Sequence, residues 1–251
     1  MPSTYDILLL IGAGIFAGSV NTIAGGGSLL TLPLLIFMGL PSSVANGTNR
    51  IAIAVSTLSA NIGYASKNVV TYPFSIYLGI SALFGAILGA RIAIEIEGAI
   101  FNRILAIIII MVVMIMVLKP KMAEHLSHER TTGKHLAISL AAFFFIGIYG
   151  GFINAGIGFI IMLFLNIFNR MNLVRVNAAK VGIAFIYTIG ALATFAVSGN
   201  VNWLYGLILA IGTSIGAWTA SRFSVDKGEW FIKIVMIIMV MFMALKLWFT
   251  Q

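Results

Sequence analysis

Long apolar runs separated by short polar breaks organise the chain. The first run extends from Ile7 to Met38, about one and a half times the ~20 residues a helix needs to cross a bilayer. At its centre lies Asn21-Thr22-Ile23-Ala24-Gly25-Gly26-Gly27-Ser28. Glycine costs roughly 1 kcal/mol per helical position relative to alanine, so the glycine run predicts two half-helices meeting at a break. Lipid supplies no hydrogen bonds, so broken backbone at membrane depth must be enclosed by protein or line a wet cavity. Pro33 is expected to kink the second half-helix, with no direct ligand role.

Beyond the turn at Gly39-Leu40-Pro41, spans are predicted at about Val44–Tyr64, Phe74–Ala90 and Ile100–Leu118. Lys67-Asn68, Pro73, the charged loop Arg91 to Arg103, and Lys119-Pro120-Lys121 punctuate them. The longest polar stretch, Glu124 to Lys134, reads as a central linker. The second half then repeats the first. Lys134 to Asn169 is again too long for one crossing and is broken at Gly150-Gly151 and Gly156/Gly158. Gly151-Phe-Ile-Asn154 matches Gly18-Ser-Val-Asn21, and Val176-Asn177-Ala-Ala-Lys180 matches Ala45-Asn46-Gly-Thr-Asn49. Gly212 and Gly216 match Gly85 and Gly89, at the spacing that lets membrane helices approach closely. The remaining spans are expected at about Val174–Val197, Trp203–Ala220 and Trp230–Phe249, with Trp203, Trp230 and Trp248 as interfacial anchors. The chain thus divides into a first transmembrane repeat (1–121), a linker (122–133) and a second repeat (134–251). Paired interrupted helices in a weakly repeated sequence point to a transporter site.

Charge chooses between two topologies. If each broken element crosses once, Lys and Arg divide almost evenly between the two sides. If each is a re-entrant hairpin, Lys67, Lys119, Lys121, Arg130, Lys134, Arg170, Arg175, Arg222 and Lys227 share one face, and Arg91, Arg103 and Lys246 the other. Only the hairpin arrangement obeys the positive-inside rule. It makes the fold all-α and polytopic, with two inverted repeats, each one broken pair plus three spans, and both termini outside. Eight plain crossings with parallel repeats are the alternative.

Composition narrows the chemistry. The 251 residues are 61% hydrophobic and 9% charged, which excludes an ordinary soluble enzyme. There is no cysteine and hence no disulfide, thiolate metal site or thiol nucleophile. No Lys or Arg precedes the first apolar run, so it is expected to stay in the protein as a span. The net charge of +8 fits topology signalling. All seven acids, Asp6, Glu95, Glu97, Glu124, Glu129, Asp226 and Glu229, lie at or near loops, which argues against a cation substrate or a carboxylate proton relay. His125, His128 and His135 lack metal-ligand spacing, and no phosphate loop or nucleic-acid motif is present. No catalytic residue, metal or cofactor is expected.

The candidate binding residues are those that would be costly in lipid. Gly25, Gly26, Gly27 and Ser28 would open the second half-helix, placing free N–H groups and a positive dipole end at the centre of the protein, a ready anion site. Asn21 and Asn154 either satisfy backbone freed at their breaks or line the cavity. Asn46, Asn49 and Arg50, with Asn177 and Lys180 on the matching helix, form the most polar apolar-flanked segments. Arg50 and Lys180 lie on the order of 10 Å in from the nearer helix end at ~1.5 Å per residue. Without an intramembrane carboxylate to pair them, they either snorkel to the surface or await a mobile anion.

These residues resemble a known family. Gly18-Ser-Val-Asn21-Thr-Ile-Ala24-Gly25-Gly26-Gly27-Ser28, Pro33, Asn46-Gly-Thr-Asn49-Arg50, and the second-half Gly151-Phe-Ile-Asn154-Ala-Gly156-Ile-Gly158 and Asn177-Ala-Ala-Lys180 are similar to the sulfite exporter TauE/SafE family of bacterial permeases. The resemblance implies export of a small sulfur-containing anion, such as sulfite or an organosulfonate, across the bacterial cytoplasmic membrane by alternating access. An anion channel is the alternative. The expected partners are that small anion and the lipid bilayer, with no nucleic acid; a homodimer is left open.

Overall fold

The computed structural model describes the backbone of residues 2–117 and 128–249 and the side chains of 2–111, 114 and 128–227. Lys119-Pro120-Lys121, Glu124, His125 and the side chains of Trp230, Trp248 and Lys246 lie outside the described residues. Within them the chain is all helical: α1 (Thr4–Ala24), α2 (Ser28–Phe37), α3 (Ser42–Ala65), α4 (Phe74–Glu95), α5 (Gly98–Val117), α6 (Gly133–Phe152), α7 (Ile157–Ile167), α8 (Leu173–Val197) and α9 (Trp203–Phe249). Five helices, α1, α4, α6, α8 and the Trp203–Lys227 part of α9, are long and apolar enough to cross a membrane. The chain is a multi-pass membrane protein.

The first apolar run breaks at its glycines, whereas the second breaks at 153–156, so Gly156 marks the break while Gly150-Gly151 stay within α6 and Gly158 within α7. Ser3 and Asp6 start α1 with a capping box, in which each backbone N–H donates to the other's side chain. Gly25 ends it in the left-handed conformation (φ +78°), its N–H donating to Asn21 O at 3.0 Å. In the second half Asn154 and Gly156 take the positive φ values, +63° and +70°. The last two expected spans, Trp203–Ala220 and Trp230–Phe249, lie on the single helix α9. Ser221–Glu229 is polar yet free of proline, and its charged residues are tolerated by helix.

Neighbour contacts give α1, α3, α4, α6, α8 and α9 their relative directions. Ile11 and Ile15 of α1 meet Gly212 and Gly216 of α9, so the two run the same way. Thr48 Oγ1 accepts the Asn202 N–H at 2.8 Å and Tyr64 meets Ser224 at 2.9 Å, so α3 also follows α9. In the same manner α6 follows α4 (Ser81 to Leu140, Gly89 to Ile148) and α8 follows α4 (Gly79 to Ile186, Gly190 to Ile87). The central pair α3 and α8 are antiparallel: Gly47 meets Phe195 and Gly182 meets Asn61. Since α1 and α3 point the same way, α2 must bring the chain back between them, and Gly27 indeed lies against Ala17 O. By the same logic α7 returns the chain between α6 and α8. Among the described residues, Lys67, Lys134, Arg170, Arg175, Arg222 and Lys227 then sit at one end of the bundle, and Arg91, Glu95, Glu97 and Arg103 at the other.

The strongest packing is crosswise. Helix α1 lies on α9 and α6 on α4, through stripes of small residues. A Cβ added at Gly18 would lie 2.2 Å from Thr213 O, one at Gly147 2.1 Å from Ala82 O, and one at Gly89 1.9 Å from Ile148 O. Close backbone approach of this kind holds membrane helices together where the hydrophobic effect does not. Two bodies result, α1/α3/α9 and α4/α6/α8, each drawing helices from both sequence halves and joined along α3 and α8. The outside is apolar: Ile76, Ile80, Phe84, Leu88 and Ile92 form one exposed stripe on α4, and Leu207, Ile211, Ile215 and Trp218 another on α9. Helix α3 is buried on all but the Val55, Leu58 and Ile62 face, so it can afford polar residues that a lipid-facing span cannot.

These stripes predict a sharp contrast on one helix. Gly18→Leu should lower the melting temperature of the detergent-purified protein or abolish its recovery, at a cost of about 3 kcal/mol from overpacking. Gly12→Leu on the exposed face, where nothing lies within 4 Å of an added Cβ, should melt like the parent.

Candidate functional site

The two breaks meet at the centre. Gly25 and Gly158 touch backbone to backbone, and a Cβ on Gly25 would lie 2.3 Å from the Gly158 carbonyl carbon. Asn154 joins the breaks through side chains: its Nδ2 donates to Ser28 Oγ at 3.0 Å and its Oδ1 accepts from the Tyr187 hydroxyl at 2.8 Å. The Tyr149 hydroxyl donates to Ala155 O within the second break.

Each half caps the broken helix of the other, by one rule. Lys180 Nζ donates to Asn21 O (3.1 Å), Thr22 O (2.8 Å) and Asn177 Oδ1 (2.7 Å), with Met162 Sδ at 3.5 Å. Arg50 donates from Nη1 to Gly150 O (2.6 Å) and from Nη2 to Gly151 O (2.8 Å) and Asn46 Oδ1 (2.9 Å). Two consecutive carbonyls at a helix end plus one asparagine oxygen hold the cation in both cases. The asparagines are tied down in turn, Asn177 Nδ2 to Ile23 O at 3.1 Å and Asn46 Nδ2 to Phe152 O at 2.7 Å. Arg50 is 0% and Lys180 2% exposed, so neither snorkels. Nor does either lack a counterpart in the protein: carbonyls at the last turns of α1 and α6, and the negative dipole ends of those helices, take that role. Asn46 and Asn177 therefore act by positioning these cations.

Two small cavities flank Asn21, each of about 10 Å³, which is room for about one water. The first lies among α1, α2, α3 and α9 and is lined by Gly27, Ser28, Thr31, Asn49, Ser56 and Thr213 among others. The second lies between the two bodies, with Asn154, Ile157, Ile161, Lys180 and Tyr187. Asn21 lines both, and Asn49 sits in the first with neither amide atom bonded. The N–H groups of Gly26, Gly27 and Ser28 meet no acceptor among the described residues, because Leu29 is the first to bond back, to Gly26 O.

Of the expected residues, the structure gathers Asn21, Gly27, Ser28, Asn49, Asn154 and Lys180 around the cavities. Gly25 and Gly26 form the turn beside them. Asn46, Asn177 and Arg50 stand outside. Sequence reasoning passed over Ser56 and Thr213. Small hydroxyl residues are common in membrane helices as local caps, and only the α9 packing brings Thr213 alongside α3.

The family model for the sulfite exporter TauE/SafE matches residues 10–247. A probable membrane transporter protein, YfcA, of Escherichia coli K12 is 30% identical over 244 residues, covering 95% of this chain and 90% of that protein. The probable membrane transporter protein ORF9 of a Sinorhizobium species is 29% identical, covering 96% and 92%. A probable membrane transporter protein of Haemophilus influenzae is 28% identical, covering 98% and 96%. No solved structure gives a significant match.

Removing a cap should leave buried carbonyls unpaired. Arg50→Met and Lys180→Met are each expected to destabilise the protein by about 3 kcal/mol, read as a drop in melting temperature in detergent. Melting unchanged in both would show that the caps carry no weight.

Proposed function

The chain belongs to the sulfite exporter TauE/SafE family, and on that premise we propose that it is a secondary transporter of the bacterial cytoplasmic membrane that exports a small sulfur-containing anion. The observation that carries the reading is the start of α2. Two residues whose N–H groups have no acceptor among the described residues, Gly27 and Ser28, line one cavity at a positive helix end, together with the Ser28 hydroxyl and the Asn49 amide. Donors of this kind replace the hydration that an oxyanion loses on entry. Lys180 beside the second cavity adds positive potential, and no acid lines either cavity to oppose it.

A carrier fits better than a channel. Each cavity has room for about one water, so an anion needs the surrounding helices to move before it can enter. The antiparallel α3/α8 pair and the hairpins α1–α2 and α6–α7 support inverted repeats in the membrane plane, the layout on which alternating access runs in many transporters. The cation-rich end would face the cytoplasm.

Two measurements test this. In proteoliposomes loaded with sulfite, efflux should saturate with concentration and exceed that of empty liposomes at least tenfold; equal fluxes would remove the transport reading. Because the chain has no cysteine, single cysteines report sidedness directly. Lys134→Cys and Lys227→Cys should react with an impermeant maleimide only from the cytoplasmic side, and Arg91→Cys and Glu97→Cys only from outside. Labelling of all four from one side would sink the inverted topology.

A further inference from the structure

The residues around the first cavity carry both hydrogen-bond donors and acceptors, which restricts the anion it can take once it widens; this inference rests on the transport reading and names the species the same site accepts. Asn49 is 1% exposed, and neither Oδ1 nor Nδ2 has a partner. Whichever way the amide is turned, it offers a ligand donors on one side and an acceptor on the other. Further donors are the N–H groups of Gly27 and Ser28 and the Ser28 hydroxyl, whose oxygen already accepts from Asn154. Ser56 and Thr213 are the reverse. Their hydroxyl hydrogens are committed to Ile53 O (3.0 Å) and Ala52 O (3.1 Å), so only lone pairs remain for a ligand. A fully ionised oxyanion would set its own lone pairs against these and against the Asn49 carbonyl oxygen. The seat is also one-sided: where α2 opens with Gly27-Ser28, α7 continues from Gly158 as Phe159-Ile160-Ile161.

We propose that this cavity selects a singly protonated oxyanion, hydrogensulfite being the member the family points to. Its ionised oxygens rest on the α2 N–H groups and the Asn49 amide hydrogens, and its own O–H donates to the Asn49 carbonyl oxygen. The ligand then carries a proton across with it, and coupling to the proton gradient requires no carboxylate. No titratable side chain lines this cavity. On the surrounding helices, Arg50 of α3 is bonded to α6 carbonyls, and Asp6 of α1 and Arg222, Asp226 and Lys227 of α9 lie toward helix ends. Lys180 of α8 is bonded to α1 carbonyls. The pH dependence therefore belongs to the ligand.

The test is calorimetric titration of the full-length detergent-purified protein with sodium sulfite on either side of the hydrogensulfite-to-sulfite conversion, and with methanesulfonate, a monoanion of similar shape without an O–H. Affinity for sulfite should follow the protonated fraction, and methanesulfonate should bind about tenfold more weakly or worse, the loss of one buried hydrogen bond. Asn49→Leu should weaken hydrogensulfite by a similar factor and erase the preference. If that variant does not fold, Thr213→Val should reduce the preference, and the comparison of the two anions on the parent decides regardless. Equal binding of methanesulfonate and hydrogensulfite, or tighter binding of the dianion at alkaline pH, overturns this proposal and leaves the transport reading standing. Binding of none of these anions overturns both.

Discussion

A helix that stops inside a membrane leaves its last carbonyls without partners, and no water is there to take them. This constraint shapes the middle of the molecule. Two long helices, α1 and α6, approach the centre from opposite directions, and each end is closed by a cation from the other half of the chain. The carbonyls need the cations, and the cations, with no carboxylate near, need the carbonyls. Neither half could bury its own broken helix alone, because Lys180 sits on α8 and Arg50 on α3. The breaks thus enforce the crosswise assembly that the small-residue stripes of α1/α9 and α4/α6 complete.

The electrostatic consequence follows from where charge is spent. A helix end carries about half an elementary charge. At the C-terminal ends of α1 and α6 that negative charge is more than covered by a full cation. At the N-terminal ends of α2 and α7 the positive charge has nothing to cover it, and the acids of the described residues lie away from both cavities. The centre is therefore positive, although its two cations are bonded. The two halves differ in how they present that potential: α2 offers glycine amides and Ser28, whereas α7 offers apolar side chains.

Much of this is legible in residue order. The first break could be read because a glycine run inside an apolar stretch has few other uses, whereas Gly150-Gly151 turned out to be helical and only Gly156 marked the second. Arg50 and Lys180 were legible as cations well inside spans, but snorkelling and burial stayed open until the structure placed both in the interior. Their partners were not legible. The sequence reading looked for an ionic counterpart, whereas orphan carbonyls are invisible in a sequence until the helix end that bears them is positioned. Asn46 four residues before Arg50, and Asn177 three before Lys180, were the available hint, because each places an amide oxygen on the cation's own helical face. Hydropathy also marked a membrane exit near Ser221 and took it for a helix end. Leaving the apolar phase and ending a helix are different events, and α9 separates them.

The packing also says what can move. The rocking units expected from the repeat are the sequence halves, but the tightest contacts run between halves, α1 on α9 and α6 on α4, with backbones too close to slide. The units that can shift are instead α1/α3/α9 and α4/α6/α8. They share the antiparallel α3/α8 seam, the crossed caps, the Asn154 bridge and the Gly25–Gly158 contact. A contact with no side chains permits a change of angle without a change of rotamers, which suits a pivot. The caps have the opposite character: each is several charge-assisted hydrogen bonds of defined length, costly to stretch in a dry setting. Motion that pivots at the glycines while keeping Lys180 and Arg50 on their carbonyls opens the second cavity, which lies between the bodies, toward one side or the other, and the first, with room for about one water, must widen among α1, α2, α3 and α9 before it admits anything larger. Asn21, common to both cavities, is the residue that joins them.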